Sequence, residues 1–436
     1  MAGVGIDEDG PARRSLWALI DQGVISLGTF LTSIQLARLL SQREFGIYGV
    51  LLGFLLFANG VHASLITYPL SVKGAVESAA GLRRQGGASL TLTTVLAGLL
   101  CVACLPFTVL LADRPWLAPL GFAALLLSQW QETLRRTLLA GFRARTAVWG
   151  DATSYLGQAV LIGLAALRRP VSLEIALGLM ALTSMLAALI QAVQVRPEAV
   201  DVQEVRRQAR AFWQPGRLVL ASSLMNLLTI NGFFWILALR SGAESAASFQ
   251  AAMNLLGVSH PLLFSVGIVI LPAAARANRA AGWRGACRSA WRHSAHMGVL
   301  LFLFFGILAA WPRDLLSVLY GAASPYLGLS TAVRLLVPAY VFAFGAQVLK
   351  ALLASVEDTK GIFTAQIAAA AVSVAVGLPL AAWRGVNGAC TGFAFVNLCL
   401  ALTSLACCLR RIEPAPASWH RWRRWLAADA ERRRCA

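Results

Sequence analysis

The sequence predicts an all-α polytopic membrane protein of about twelve transmembrane helices, arranged as two six-helix lobes around a central cavity. Three observations predict it. Twelve apolar stretches of about 20 to 26 residues, each closed by a short polar loop, run from position 15 to position 409; a helix rising about 1.5 Å per residue needs roughly 20 residues to cross about 30 Å of hydrocarbon. Of the 436 residues, 58% are hydrophobic and 13% charged, with a mean hydropathy of +0.67, so no polar segment is long enough for a separate water-soluble domain. The cations alternate from side to side: 28 of the 38 Lys and Arg fall in segments sharing a side with the N-terminus, and 8 in the opposite loops. That bias puts both termini in the cytoplasm. Topology therefore accounts for the net charge of +18 without nucleic acid.

The N-terminal lobe, 1–205, opens with MAGVGIDEDG, which is acidic and lacks the apolar core and cleavage site of a signal peptide, so the first span is expected to stay as an anchor. Spans one and two, 15–40 and 46–70, are joined by a tight turn in which Ser41 and Glu44 have capping-box spacing. Spans three to six follow at 88–112, 116–134, 148–167 and 173–195. Cys101 and Cys104 lie in the third without His or Cys partners and read as small apolar residues rather than a metal or redox pair. The polar stretch 196–214 then connects to the C-terminal lobe, 206–409, with spans at 215–239, 247–272, 293–312, 329–353, 361–383 and 387–409. Arg240, Ser241 and Glu244 after span seven echo Arg38, Ser41 and Glu44 after span one, and Val269 to Pro272 echoes Ile66 to Pro69. A six-span repeat keeps its orientation, so the halves are expected around an axis along the membrane normal with a cavity between them. The tail, 410–436, alternates Trp419, Trp422 and Trp425 with arginines; it reads either as an interfacial segment on anionic lipid or as a basic tail that enforces topology.

Polar groups inside spans are the best functional pointers, because a charge at the bilayer centre costs on the order of 2.5 to 3.5 kcal/mol on insertion scales. Asp21, followed by Gln22, reads as a protonatable coupling site or as a carboxylate paired with a neighbour's donor. Arg38 and Arg240 end spans one and seven at matching places, as snorkelling or substrate-binding cations. Arg334 and Lys350 put a cation near each mouth of span ten, about 24 Å apart along the helix. That suits an anion passing between faces, and snorkelling also explains it. Asn59 and His62 in span two, Asn226 and Asn231 in span seven, and Gln250, Asn254 and His260 in span eight make interhelical hydrogen bonds or line a wet cavity. Glu132, Arg135 and Arg136 set a carboxylate and two cations on one helix face at the inner mouth, with Asp151 near enough in the chain to join them. This is a candidate cytoplasmic gate, either as a structural clamp or as a first docking site for an anion.

No Gly-rich phosphate loop, zinc-ligand spacing or Ser/His/Asp arrangement stands out. No catalytic residue, metal or cofactor is expected, and active transport must draw on an ion gradient (H+ or Na+), the membrane potential or the substrate's own gradient. The predicted outer loops are short, the longest at 313–327, which argues against a membrane glycosyltransferase or ligase.

Asp21-Gln22, then Ala37-Arg38-Leu39-Leu40, then Glu44-Phe45-Gly46-Ile47-Tyr48, resembles the opening of bacterial polysaccharide-biosynthesis flippases of the lipid-linked oligosaccharide and O-antigen type. These belong to the multidrug/oligosaccharidyl-lipid/polysaccharide exporter superfamily. Gln131-Glu132-Thr133-Leu134-Arg135-Arg136, continuing through Arg143 and Asp151 to Gln158, is similar too. The resemblance implies a V of two six-helix lobes with spans one, two, seven and eight facing the cavity. It also implies that an undecaprenyl-pyrophosphate-linked repeat unit is moved from the cytoplasmic to the periplasmic leaflet of a bacterial inner membrane by alternating access. The implied partners are the lipid-linked oligosaccharide, the phospholipid bilayer, a polysaccharide polymerase and glycosyltransferases. One departure stands out: cavity spans of such flippases often hold arginines well inside, whereas spans one, two, seven and eight here carry Arg only at their outer ends. The competing expectation is an ion-coupled exporter of small amphipathic cations with Asp21 as its coupling carboxylate.

Overall fold

The computed structural model describes residues 11–111, 117–168 and 170–411, except for some side chains within helices. The first ten residues and the Trp/Arg-rich tail lie outside that set. Regular structure among the described residues is entirely helical: α1 (Pro11–Leu39), α2 (Gln42–His62), α3 (Tyr68–Gly74), α4 (Ala79–Leu111), α5 (Leu117–Ala140), α6 (Ala144–Asp151), α7 (Gly157–Arg168), α8 (Leu173–Val195), α9 (Val202–Ser241), α10 (Ala243–Gly257), α11 (His260–Ala310), α12 (Pro312–Tyr320), α13 (Ser330–Ala354), α14 (Thr359–Val372) and α15 (Leu378–Leu409). Five-residue π-helical turns join α2 to α3 (Ala63–Thr67), α6 to α7 (Ala152–Leu156) and α14 to α15 (Ser373–Gly377). Breaks at Ala281 and Gly282 divide α11, and one at Gly385 divides α15. The chain is thus a polytopic all-α membrane protein with twelve crossings. Six of its segments are long and apolar enough to cross a bilayer by composition alone. Helix α5 is not among them, because Gln129, Gln131, Glu132 and Arg135 lower its hydropathy.

Local chemistry sets the ends. Ser41 caps α2 by accepting from the Glu44 amide while the Glu44 carboxylate accepts from Ser41, the full capping box expected there. The matching box at Ser241 and Glu244 does not form: Ser241 ends α9, and Gly242, at φ 86°, heads α10 with no side-chain cap. A glycine in that left-handed region turns the chain before a serine can act as cap. The Pro echo diverges likewise, since Pro69 opens α3 while Pro272 sits inside α11. The connector 196–214 is mostly helical, because Asp201 caps α9 through the Glu204 amide. The lobe boundary set at 205 therefore falls within that helix. The stretch 313–327 folds as most of α12 and the start of a 3-10 turn, Pro325–Leu329.

Helix α1 runs from the near end of the bundle, where the chain starts, to the far end. There the lobes meet closely. A Cβ on Gly46 would fall 1.8 Å from the Ala243 carbonyl oxygen, so only glycine lets α2 pack directly on the start of α10. Gln42 Nε2 donates to Ser248 Oγ at 3.3 Å, and the Phe45 and Tyr326 rings lie 6.0 Å apart. Phe45, Phe233, Phe249 and Tyr326 belong to one buried core that crosses the lobe boundary. In lipid such contacts hold through close packing rather than water expulsion.

Candidate functional site

The densest polar site lies inside the N-lobe, about one and a half turns from the near end of α5. Arg135 is its centre. Its Nη2 donates to Asp21 Oδ2 on α1 at 2.5 Å, its Nε to Asp151 Oδ2 on α6 at 2.7 Å, and its Nη1 to Glu132 Oε2 at 3.2 Å. Arg136 Nε reaches Glu132 Oε1 at 2.5 Å. The second oxygen of Asp151 accepts from Gln131 Nε2 at 3.0 Å and from Gln191 Nε2 of α8 at 3.1 Å, and Ser154 Oγ donates to Gln131 Oε1. Side-chain exposure is 8% for Arg135, 2% for Asp21 and 0% for Asp151. Three carboxylates face two guanidiniums, so one negative charge is in excess when all are ionised. Asp21 Oδ1 is buried without a hydrogen-bond partner.

Backbone geometry brings these groups together. A Cβ on Gly28 would lie 2.5 Å from the Tyr155 carbonyl carbon, so α1 presses against the π-helical turn that follows Asp151. π-turns inside helices often mark functional positions.

The remaining predicted residues are dispersed. Arg38 donates from Nε and Nη2 to the carbonyls of Leu319 and Val318, at 2.6 and 2.7 Å, and so caps the end of α12. Arg240 is exposed at the end of α9, and Gln22 is half-buried. Asn59 is exposed and accepts from Gln129 at 3.4 Å. His62 is buried with Nε2 3.1 Å from Thr93 Oγ1 and 3.0 Å from Thr133 Oγ1, tying α2, α4 and α5 together. Asn231 is buried with Oδ1 unpartnered, and the Asn226 side chain lies outside the described set. Gln250 Nε2 donates to Asn254 Oδ1 at 2.8 Å, and the His260 ring stacks on Tyr340 with Nε2 3.2 Å from the hydroxyl. Arg334 Nε caps the Ala309 carbonyl at 3.0 Å, and Lys350 is half-buried on α13. Sequence reasoning missed Gln191 as a partner of Asp151 and Ser154 as a partner of Gln131. Gln191, one of two amides in the last turns of the apolar α8, was the available signal.

No family model matches the chain, and no curated protein matches it. Solved structures do. An inward-facing multidrug resistance MATE family transporter of the MOP superfamily superposes with a TM-score of 0.70 at 12% identity, over 90% of this chain and 98% of that one. The chain shares the fold of that transporter. An outward-facing MATE transporter of that superfamily gives 0.64 at 13% identity, over 92% and 95% of the two chains. A MOP superfamily transporter from Pyrococcus furiosus, whose reversed binding-pocket polarity suggests a different function for it, gives 0.59 at 14%, over 94% and 98%.

Within this MOP fold both lobes carry one turn in common. After α5, Arg143 N bonds Leu138 O at 2.9 Å, Phe142 N bonds Leu139 O, and Phe142 has φ 58°. After α13, Asp358 N bonds Leu353 O at 3.0 Å, Glu357 N bonds Ala354 O, and Glu357 has φ 58°. This shared helix-ending turn puts Arg135 and Lys350 at matching positions, and Glu132 opposite Gln347. Asp151 and Gln366 are each the eighth residue of the following helix.

Proposed function

We propose that this membrane protein is a flippase that moves an undecaprenyl-pyrophosphate-linked polysaccharide repeat unit from the cytoplasmic to the periplasmic leaflet of a bacterial inner membrane. The observation that carries the reading is the state of the intramembrane charges. All three acids of the N-lobe cluster are tied to Arg135 or Arg136, whereas Lys350 has neither a hydrogen bond nor an ion pair among the described residues. A carrier of cationic drugs needs acids free to meet its cargo; a carrier of phosphate and sugar needs cations and hydrogen-bonding groups. The Pyrococcus MOP transporter, described through reversed pocket polarity and a different function, offers a precedent for judging this fold by charge. With the near end cytoplasmic, the far-end seal between α2 and α10 is the contact that would have to part for release to the periplasmic side. The headgroup would enter between the lobes while the polyprenyl tail stays in lipid. The work involves no covalent chemistry.

The test is deletion of the gene in a strain lacking any redundant flippase. Lipid-linked sugar should accumulate on the cytoplasmic leaflet and surface polysaccharide should fall; unchanged surface polysaccharide would sink the reading. A second reading, an H+- or Na+-coupled exporter of amphipathic cations, draws on the unpartnered Asp21 Oδ1. Under it, Asp21→Asn abolishes proton- or sodium-driven efflux of a cationic dye from proteoliposomes that wild-type protein supports.

A further inference from the structure

We propose that a polar cavity at the near end of the C-lobe binds the phosphate of an anionic phospholipid headgroup, with Arg279 and Arg411 as its cations. The cavity, about 570 Å³, lies where three spans end. Asn278, Arg279 and Trp283, beside the break in α11, form one wall, residues 354–357 after α13 another, and Arg411, just past the end of α15, a third.

Local geometry builds the walls. Gly282, at φ 64°, breaks α11 between Arg279 and Trp283, so the two flank the bend. Glu357, at φ 58°, ends α13 in the turn closed by Asp358 N on Leu353 O, and Asp358 then accepts from Arg411 Nε at 3.0 Å. That bond holds the Arg411 guanidinium by one edge and leaves both Nη groups unbonded among the described residues. Arg279 and Asn278 have no partner among the described residues either. Donors are therefore collected on one cavity with nothing yet to receive them.

Charge and depth select the ligand. The segments 271–283, 354–360 and 410–411 carry Arg276, Arg279, Lys360, Arg410 and Arg411 against two acids, Glu357 and Asp358. Guanidinium forks match phosphate oxygens in pairs. Glu357 also lines the cavity, and its carboxylate accepts from hydroxyls; a headgroup that combines phosphate with hydroxyls, as in phosphatidylglycerol, meets both kinds of partner. Span ends lie at headgroup depth, where basic pockets between helices hold anionic lipid and an indole such as that of Trp283 is at home. The volume suits a ligand larger than bare phosphate. This lipid is a resident of the membrane and not cargo, so the inference is independent of the flippase reading.

The experiment titrates purified full-length protein in neutral detergent, by calorimetry, with dihexanoyl phosphatidylglycerol, dihexanoyl phosphatidylcholine and inorganic phosphate. The expected result is saturable binding of phosphatidylglycerol in preference to the other two, weakened about tenfold by Arg279→Gln, weakened also by Arg411→Gln and largely kept by Arg279→Lys. Arg313→Gln, which removes an exposed cation on α12 at the far end, should leave binding unchanged and so separates the site from bulk charge. Monodisperse elution of every variant shows that the folds are intact. Equal binding of the two lipids, binding that both Arg279→Gln and Arg411→Gln leave unchanged, or no saturable binding overturns the proposal; binding of inorganic phosphate in place of phosphatidylglycerol overturns the lipid as its source.

Discussion

Helices α5 and α13 end in the same turn, at matching places in the two lobes, and treat the cation above that turn in opposite ways. On α5 the Arg135 guanidinium spends its donors on Asp21, Glu132 and Asp151. On α13 no acid is brought to Lys350. Within lipid an unneutralised charge is expensive. On a common backbone, one lobe neutralises its cation and the other, among the described residues, brings it no acid.

The largest effect should come from breaking the neutralised side. Arg135→Ala leaves buried carboxylates uncompensated and should destabilise the protein by about 3 to 5 kcal/mol, read as a fall in detergent-solubilised melting temperature. Lys350→Met removes a charge that lacks a partner and should be neutral or stabilising in the same assay. Equal losses for both variants would end the comparison.

A smaller effect tests the seam on which both lobes depend. Gly46→Leu puts a side chain where the Ala243 carbonyl lies, and overpacking of this kind costs about 1 to 3 kcal/mol. The far end should open, with faster labelling of a cysteine placed at Gln42 by a membrane-impermeant thiol reagent. Arg38→Ala, which frees the Val318 and Leu319 carbonyls, should act in the same direction and more weakly.

How much of this was legible in the sequence follows from range. Hydropathy and alternating cations yield the twelve crossings, because both depend on local composition. The Glu132, Arg135 and Arg136 face was readable from i, i+3 and i, i+4 spacing, and Asp151 from its nearness in the chain. Asp21 was recognisable as unusual, but its bond to Arg135 spans 114 positions, and only the approach of α1 to the π-turn at Tyr155 creates it. Arg38 looked like a snorkelling or cavity cation, whereas its partners are backbone carbonyls of α12, which no side-chain pattern announces. The failed cap at Ser241 shows the reverse limit: the spacing was right, and one glycine dihedral displaced it.

The smallest effect separates the two turns themselves. Asp358 caps α14 through the Gly361 amide at 2.9 Å. That amide, and then Arg411, hold its carboxyl below the ordinary carboxylate range. A depressed value means that the stabilisation is fully present above the ordinary carboxylate pKa and is lost as pH falls through the lower one. Asp358→Ala should cost about 1 kcal/mol at neutral pH, and the difference from wild type should vanish in strong acid. Arg143, at the equivalent place in the N-lobe, bonds the Gln194 carbonyl at 3.0 Å, so Arg143→Ala should show no such acid dependence. Matching melting curves for the two variants from neutral to acid pH would erase the distinction.

Helix α9 belongs to both lobes. Near its start Gln208 Nε2 holds Ser89 Oγ at 2.7 Å and the Gln85 carbonyl, and Gly216 comes within one missing methyl of the Ser64 carbonyl; further on, Phe233 and Phe234 pack into the shared far-end core. Such a strut acts as the jamb on which a door is hung. Widening the near end on the α9 side would break the Gln208 bonds to Ser89 and Gln85, so that side stays shut while the strut stands.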